Sequence, residues 1–159
     1  MFALPVFTAL VALVSYASAE SHQVTMTNKC ASGSPVFLYE ADGTPQGPAT
    51  IEGQLLGGIA WLDGFAGADC QSSGVNCGVV EFTLRNDDPF QNAADFSFQT
   101  QGNHLYKYNM AFNYLGACTK SATCTSATCP GAYTGSDTAD GAPVQCLGDD
   151  VGINIVFCP

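Results

Sequence analysis

Cys158 stands one residue from the chain terminus, at the end of the run 151–157. In that run Val151, Ile153 and Ile155 fall on one side of a pleat and Phe157 closes it. A cysteine that terminates a strand is placed to be tied, and its natural partner is Cys30, which closes the first strand-like run, 24–28. One such bridge pins the first and last strands together around everything between them. In the chain-entropy model a loop that long stabilises the fold by about 4 to 5 kcal/mol. The eight cysteines (Cys30, Cys70, Cys77, Cys118, Cys124, Cys129, Cys146, Cys158) form no Cys-x-x-Cys pair, and the two histidines, His22 and His104, stand apart from them. The ligand spacings of a zinc site are missing, so no metal and no other cofactor is expected. Each histidine reads as an ordinary surface or strand residue. An even cysteine count reads as four bridges in an exported chain.

Export is what the first nineteen residues predict. An apolar run over 4–14 is followed by Tyr16 and by Ala17-Ser18-Ala19 before Glu20, the pattern of a secretory signal and its small-residue cleavage site. The run is too short to span a bilayer, and no other stretch reaches that length. The expectation is a signal peptide over 1–19, one domain over 20–159, and a secreted protein, extracellular or in a cell wall. Four Lys/Arg against fourteen Asp/Glu give a formal charge of −10. Such a surface repels nucleic acid and anionic membranes and tolerates neutral polysaccharide or a basic partner protein. A solubility role for the acidic balance is the plainer reading.

Short strand-like runs recur between Gly, Pro, Asn and Asp punctuation, the pattern of an all-β sandwich or flattened barrel. They are 24–28, 35–41, 54–62, 79–84, 94–100, 105–112 and 151–157. Turn signals stand at Asp42-Gly43, Thr44-Pro45-Gln46-Gly47-Pro48, Gly57-Gly58, Asn86-Asp87-Asp88-Pro89 and Gly148-Asp149-Asp150. The Asp pairs in these turns read as turn chemistry. The small, Ser/Thr-rich stretch 120–128 reads as a stapled surface loop.

Five segments in order carry a family resemblance. They are 24–30 (Val-Thr-Met-Thr-Asn-Lys-Cys), Ala68-Asp69-Cys70 with Cys77 beyond, Val80-Glu81-Phe82-Thr83-Leu84, Cys129-Pro130-Gly131-Ala132-Tyr133, and Ile155-Val156-Phe157-Cys158-Pro159. Together they resemble the landmarks of thaumatin-like proteins, in the short form that lacks the cysteine-rich second domain. The resemblance implies a thaumatin-like β-sandwich stapled by Cys30–Cys158, Cys70–Cys77, Cys118–Cys146 and Cys124–Cys129. It also implies a coherent loss of one further bridge, Phe65 standing where a cysteine is expected.

The family carries an acidic cleft of one Arg, one Glu and three Asp, linked to binding or hydrolysis of β-1,3-glucan. By that resemblance Glu81 falls on the Glu and Asp95 on the first Asp. The second Asp is expected near Thr100 or Gln101, neither of which is acidic, and the third near Asp137 or Asp140. The Arg expected after Trp61 is replaced by Leu62 and Asp63. Glycoside hydrolysis needs one protonated and one ionised carboxyl group, roles open to Glu81 and Asp95. A cleft without its Arg and one Asp has lost groups that separate the two pKa values. Glu81 also reads as an ordinary solvent-facing position on an alternating strand. Trp61, Tyr106, Tyr108 and Tyr114 are candidate sugar-stacking rings, although aromatics at strand spacing more often pack in the core. Phe96 and Phe98 are core on either reading.

The favoured expectation is a monomer that binds wall polysaccharide through Glu81, Asp95, Asp137, Asp140, Trp61 and Tyr106, in a defence (antifungal) or wall-remodelling role. The alternatives are a weak endo-β-1,3-glucanase using Glu81 and Asp95, and a protein-binding inhibitor or effector that uses the fold as a scaffold.

Overall fold

The computed structural model describes residues 20–87, 92–135 and 141–159; the expected signal peptide lies outside them. Eleven strands follow in chain order: β1 (Ser21–Asn28), β2 (Ser34–Tyr39), β3 (Asp42–Gln46), β4 (Ala49–Glu52), β5 (Leu55–Asp63), β6 (Val79–Leu84), β7 (Asn92–Ser97), β8 (Met110–Leu115), β9 (Ser121–Cys124), β10 (Val144–Cys146) and β11 (Gly152–Phe157). They form two sheets, one ordered β4-β1-β11-β8-β9 and the other β10-β7-β6-β5-β2-β3. The chain is all-β, as predicted, with two separate sheets rather than a closed barrel. Among the described residues the one helical piece is a 3-10 turn at Ser72–Gly74.

Alternation builds the core. Val80, Phe82 and Leu84 of β6 and Ala94 and Phe96 of β7 are buried on one face, and Ile153, Ile155 and Phe157 of β11 face them from the other sheet in one cluster. Phe96 and Phe112 meet between the sheets at 5.2 Å between ring centroids, and Tyr108 meets Phe157 edge-on at 5.5 Å. Tyr108 satisfies its hydroxyl twice, donating to the Gly78 carbonyl at 2.9 Å and accepting from the Leu62 amide at 3.2 Å.

β1 runs parallel to β11, from Val24 opposite Ile153 to Asn28 opposite Phe157. The other ladders are antiparallel. A parallel pair of this kind needs a long crossover, and here the crossover is nearly the whole domain. Cys30–Cys158 closes the pair just beyond its ends. The other bridges are Cys70–Cys77, Cys118–Cys146 and Cys124–Cys129, the set that the resemblance implies.

Several expectations give way to the structure. The predicted strand 105–112 begins only at Met110, because 105–109 is irregular and Tyr106 donates its hydroxyl to the Asn109 side chain. The predicted strand 94–100 starts earlier, at Asn92, and ends at Ser97. Asp42-Gly43 and the Thr44-Pro45 stretch are not turns but the edge strand β3, where Pro45 is tolerated because one side has no ladder to donate to. Gly57-Gly58 is no turn either. It is an irregularity inside β5, whose register against β6 shifts between Leu55 and Gly58. The stretch 120–128 is only partly loop, since residues 121–124 pair with β8 and Cys124 is fully buried.

The surface reading of the histidines also fails. His22 lies on β1 with no exposed surface, its Nδ1 2.8 Å from the Val151 carbonyl and its Nε2 2.9 Å from Glu20 Oε1. His104 is buried with Nε2 3.1 Å from the Ser73 carbonyl. Glu20 Oε1 also accepts the Asn86 amide at 2.6 Å, so this part-buried network ties Asn86, just past the end of β6, to the start of β1.

Removing the Cys30–Cys158 bridge by the paired change Cys30→Ser and Cys158→Ser is expected to cost about 2 to 5 kcal/mol. The midpoint of guanidinium unfolding under non-reducing conditions measures it. An unchanged midpoint would show that strand pairing alone holds the two ends.

Candidate functional site

The outer face of the six-stranded sheet divides into a covered half and an open half. Val36 pairs with Trp61, Ile59 with Glu81, Glu81 with Asp95 and Val79 with Ser97, so these side chains share the face turned away from the other sheet. The loop closed by Cys70–Cys77 lies over one half. A Cβ added at Gly74 would stand 2.1 Å from Val79 Cγ1 and 3.5 Å from Trp61 Cβ. Trp61 and Val79 are therefore fully buried although they lie on the outer face.

The open half is a groove of about 450 Å³ lined by Glu40, Gly57, Ile59, Glu81, Asp95 and Pro143, among others. Glu81 and Asp95 form its centre. They are direct cross-strand partners on β6 and β7, and such partners hold their Cβ atoms about 4.5 to 5.5 Å apart. Asp95 Oδ1 is buried with no hydrogen-bond partner among the described residues. Burial first, and the charge of Glu81 second, push the Asp95 carboxyl from its ordinary 3.8 up to about 8. At neutral pH the pair is thus asymmetric, with Asp95 mostly protonated. A protonated carboxyl donates a hydrogen bond and an ionised one only accepts, so the pair offers both functions side by side.

Two more residues bear on the site, Glu40 in the groove lining and Tyr133 beside the carboxyl pair. Glu40 lies across Gly57, where φ is +59° and an added Cβ would fall 2.8 Å from Glu40 Cγ. Only glycine meets both demands there. Tyr133 bridges to the end of β7, its amide donating to the Phe96 carbonyl at 2.9 Å and its carbonyl accepting from the Phe98 amide at 2.7 Å. Its phenol is raised above its ordinary value, by burial first and then by the charges of Asp95 and Glu81. The ring therefore sits within electrostatic reach of the pair, and it lies against Gly141, where a Cβ would come within 2.4 Å.

The sequence-predicted residues part company here. Glu81 and Asp95 come together. Trp61 is sealed beneath the Cys70–Cys77 loop and presents no face to a ligand, and Tyr108 and Tyr114 are core residues. Tyr106 is half-buried, packs edge-on against Phe98 at 5.6 Å and does not line the groove. Asp137 and Asp140 lie outside the described residues. Glu40, Gly57, Pro143 and Tyr133 were missed as site residues. Tyr133 alone carried a signal, its place beside the Cys129 landmark. A scan against protein-family models and searches of curated proteins and of solved structures find no match to this chain.

The raised Asp95 carboxyl has a stability consequence. The folded state holds this proton up to about pH 8 whereas the unfolded chain releases it near pH 4. The contribution is fully present below about pH 4 and is lost as pH rises to about 8, at no more than about 1.4 kcal/mol per pH unit. Urea unfolding of wild type and Asp95→Asn at pH 4.5, 6 and 7.5 should show the variant gaining on the wild type at each step. A difference independent of pH would contradict a buried, protonated Asp95.

Proposed function

We propose that this chain is a small, exported thaumatin-like protein whose acidic groove binds a neutral wall polysaccharide, most simply a β-1,3-glucan. The observation that carries the ligand reading is the Glu81–Asp95 pair on the floor of an open groove. Sugar hydroxyls each donate and accept, and a protonated Asp95 that can donate beside the acceptor oxygens of Glu81 meets both needs. The four bridges and the all-β two-sheet architecture are compatible with the family and with an oxidising, extracellular setting. No helix among the described residues is long and apolar enough to cross a membrane.

Trp61 and Tyr106 drop out as stacking rings by this reading, and Tyr133, which feels the charges of Asp95 and Glu81 but is not part of the groove lining, is the ring to test in their place. A defence or wall-remodelling role follows from polysaccharide binding by this reading, and an inhibitory protein partner is its rival.

A second reading, weak endo-β-1,3-glucanase activity, is favoured by one observation: Asp95 retains a proton at neutral pH opposite Glu81. That is the protonation asymmetry of a general acid and its ionised partner. Against it, the groove lining contains no Lys or Arg among the described residues, and general acid help supplies only about 10² to 10⁴ in rate. Binding without appreciable turnover is therefore the first reading.

Soluble β-1,3-gluco-oligosaccharides should bind the wild type by titration calorimetry, and Glu81→Gln should weaken binding roughly tenfold or more through loss of a charge-assisted hydrogen bond. Reducing-sugar release from soluble β-1,3-glucan should be negligible. Unchanged affinity in Glu81→Gln would move the ligand elsewhere. Robust hydrolysis abolished by Glu81→Gln and by Asp95→Asn would put the glucanase reading first.

A further inference from the structure

The outer face of the five-stranded sheet, on the opposite side of the molecule from the groove, carries no charged residue in its three central rows. Its central row runs Thr25, Asn154, Asn113, Ser121 across four strands. One flanking row is Thr27, Val156, Ala111, Thr123. In the other, Thr50 pairs with Gln23 and Gly152 with Leu115. No acid and no Lys or Arg occupies any of these positions, on a chain with fourteen Asp/Glu and four Lys/Arg. Glu52, opposite Ser21, and Lys29, just past Asn28, mark two borders. Gln23, Thr27, Thr50, Ser121 and Thr123 are exposed.

Three side chains of the central row, Thr25, Asn154 and Asn113, are already ordered. Thr25 Oγ1 donates to Asn154 Oδ1 at 2.9 Å and Asn154 Nδ2 donates to Asn113 Oδ1 at 3.0 Å. This ladder holds hydroxyl and amide groups at the strand spacing, so binding would cost little rotamer freedom. Between its outer Cα positions the face measures about 14 Å across the strands and about 13 Å along them, from the standard sheet spacings.

From these observations we propose that this face is a second binding surface, which docks flat onto an ordered, uncharged, hydroxyl-bearing polysaccharide such as insoluble β-1,3-glucan. Charge complementarity selects the occupant. A basic protein would be met by acids, which this protein has in excess elsewhere and excludes here. A hydrophobic partner would find only Val156, Leu115 and Ala111. Hydroxyls and amides, which both donate and accept, match a neutral surface of hydroxyls. The groove takes a single soluble chain segment whereas this face takes the side of an insoluble assembly. The inference draws on the proposed function only for its choice of polymer.

The test is co-sedimentation with insoluble β-1,3-glucan particles, beside calorimetry with the soluble oligosaccharide. Wild type should be retained equally at low salt and at 1 M NaCl, since no charge takes part. The pair Thr27→Lys and Thr123→Lys, both at exposed sites, should lower retention at least tenfold while leaving circular dichroism, melting temperature and oligosaccharide binding unchanged. Should the pair impair folding, Thr27→Lys alone, at an exposed site, should still lower retention severalfold. Glu81→Gln should show the converse, losing soluble-ligand affinity but keeping particle retention. Unchanged retention in the folded Lys variants, or no retention of wild type while the soluble ligand still binds, would overturn the inference. So would a wild-type dimer that the Lys pair dissociates, which would assign the face to a second copy of the chain.

Discussion

The parallel pairing of β1 with β11, closed by Cys30–Cys158, is the constraint on which the rest of the fold depends. It puts the first and last strands at the middle of the five-stranded sheet, with β4 docked on one side and β8 and β9 on the other. The inward residues of that pair, Val24, Ile153, Ile155 and Phe157, supply a large part of the surface on which the six-stranded sheet packs. The part-buried His22–Glu20–Asn86 contacts extend this anchorage from the start of β1 to Asn86, just past β6. The strand that carries Glu81 is therefore held to the opposite sheet beyond its end as well as by its core face.

Register then does the chemistry. Because β6 and β7 pair with Val79 opposite Ser97, Glu81 meets Asp95, and both point away from the core. The Cys70–Cys77 loop decides how much of that face stays open. It seals Trp61 and Val79 and leaves Glu81 and Asp95 in the lining of the groove. Like charges at cross-strand distance cost stability, and partial burial raises that cost. The molecule lowers it by keeping Asp95 protonated rather than by supplying a cation, and this retains a donor and an acceptor in one groove.

Much of this was legible in the residues. The terminal bridge followed from two cysteines that each close a strand, and β6 was read to its ends because Val-Val-Glu-Phe-Thr-Leu alternates without interruption. Glu81 and Asp95 were singled out by the resemblance, and their direct pairing across β6 and β7 came only with the register. What was not legible were the strands defined by backbone pairing rather than by side chains. β3 contains Asp42, Gly43 and Pro45, and β9 is Ser-Ala-Thr-Cys, so neither has an apolar stripe. β4 and β10 are four and three residues long. Trp61 misled for a different reason. Its strand position is an outer one, and only the tertiary placement of a distant disulfide loop buries it. Sequence pattern gives strand faces but not which outer face a loop will cover, and the same gap hid Glu40, Pro143 and Tyr133.

The asymmetry of the Glu81–Asp95 pair is the central claim, and following the carboxyl carbon of Asp95 through a pH titration by nuclear magnetic resonance tests it most directly. The midpoint should lie at about 8 in the wild type. In Glu81→Gln it should fall yet stay above the ordinary carboxylate range, because burial is the larger cause and the Glu81 charge the smaller. A midpoint near 4 in the folded wild type would mean that Asp95 is ionised at neutral pH, and the paired donor and acceptor in the groove would not exist.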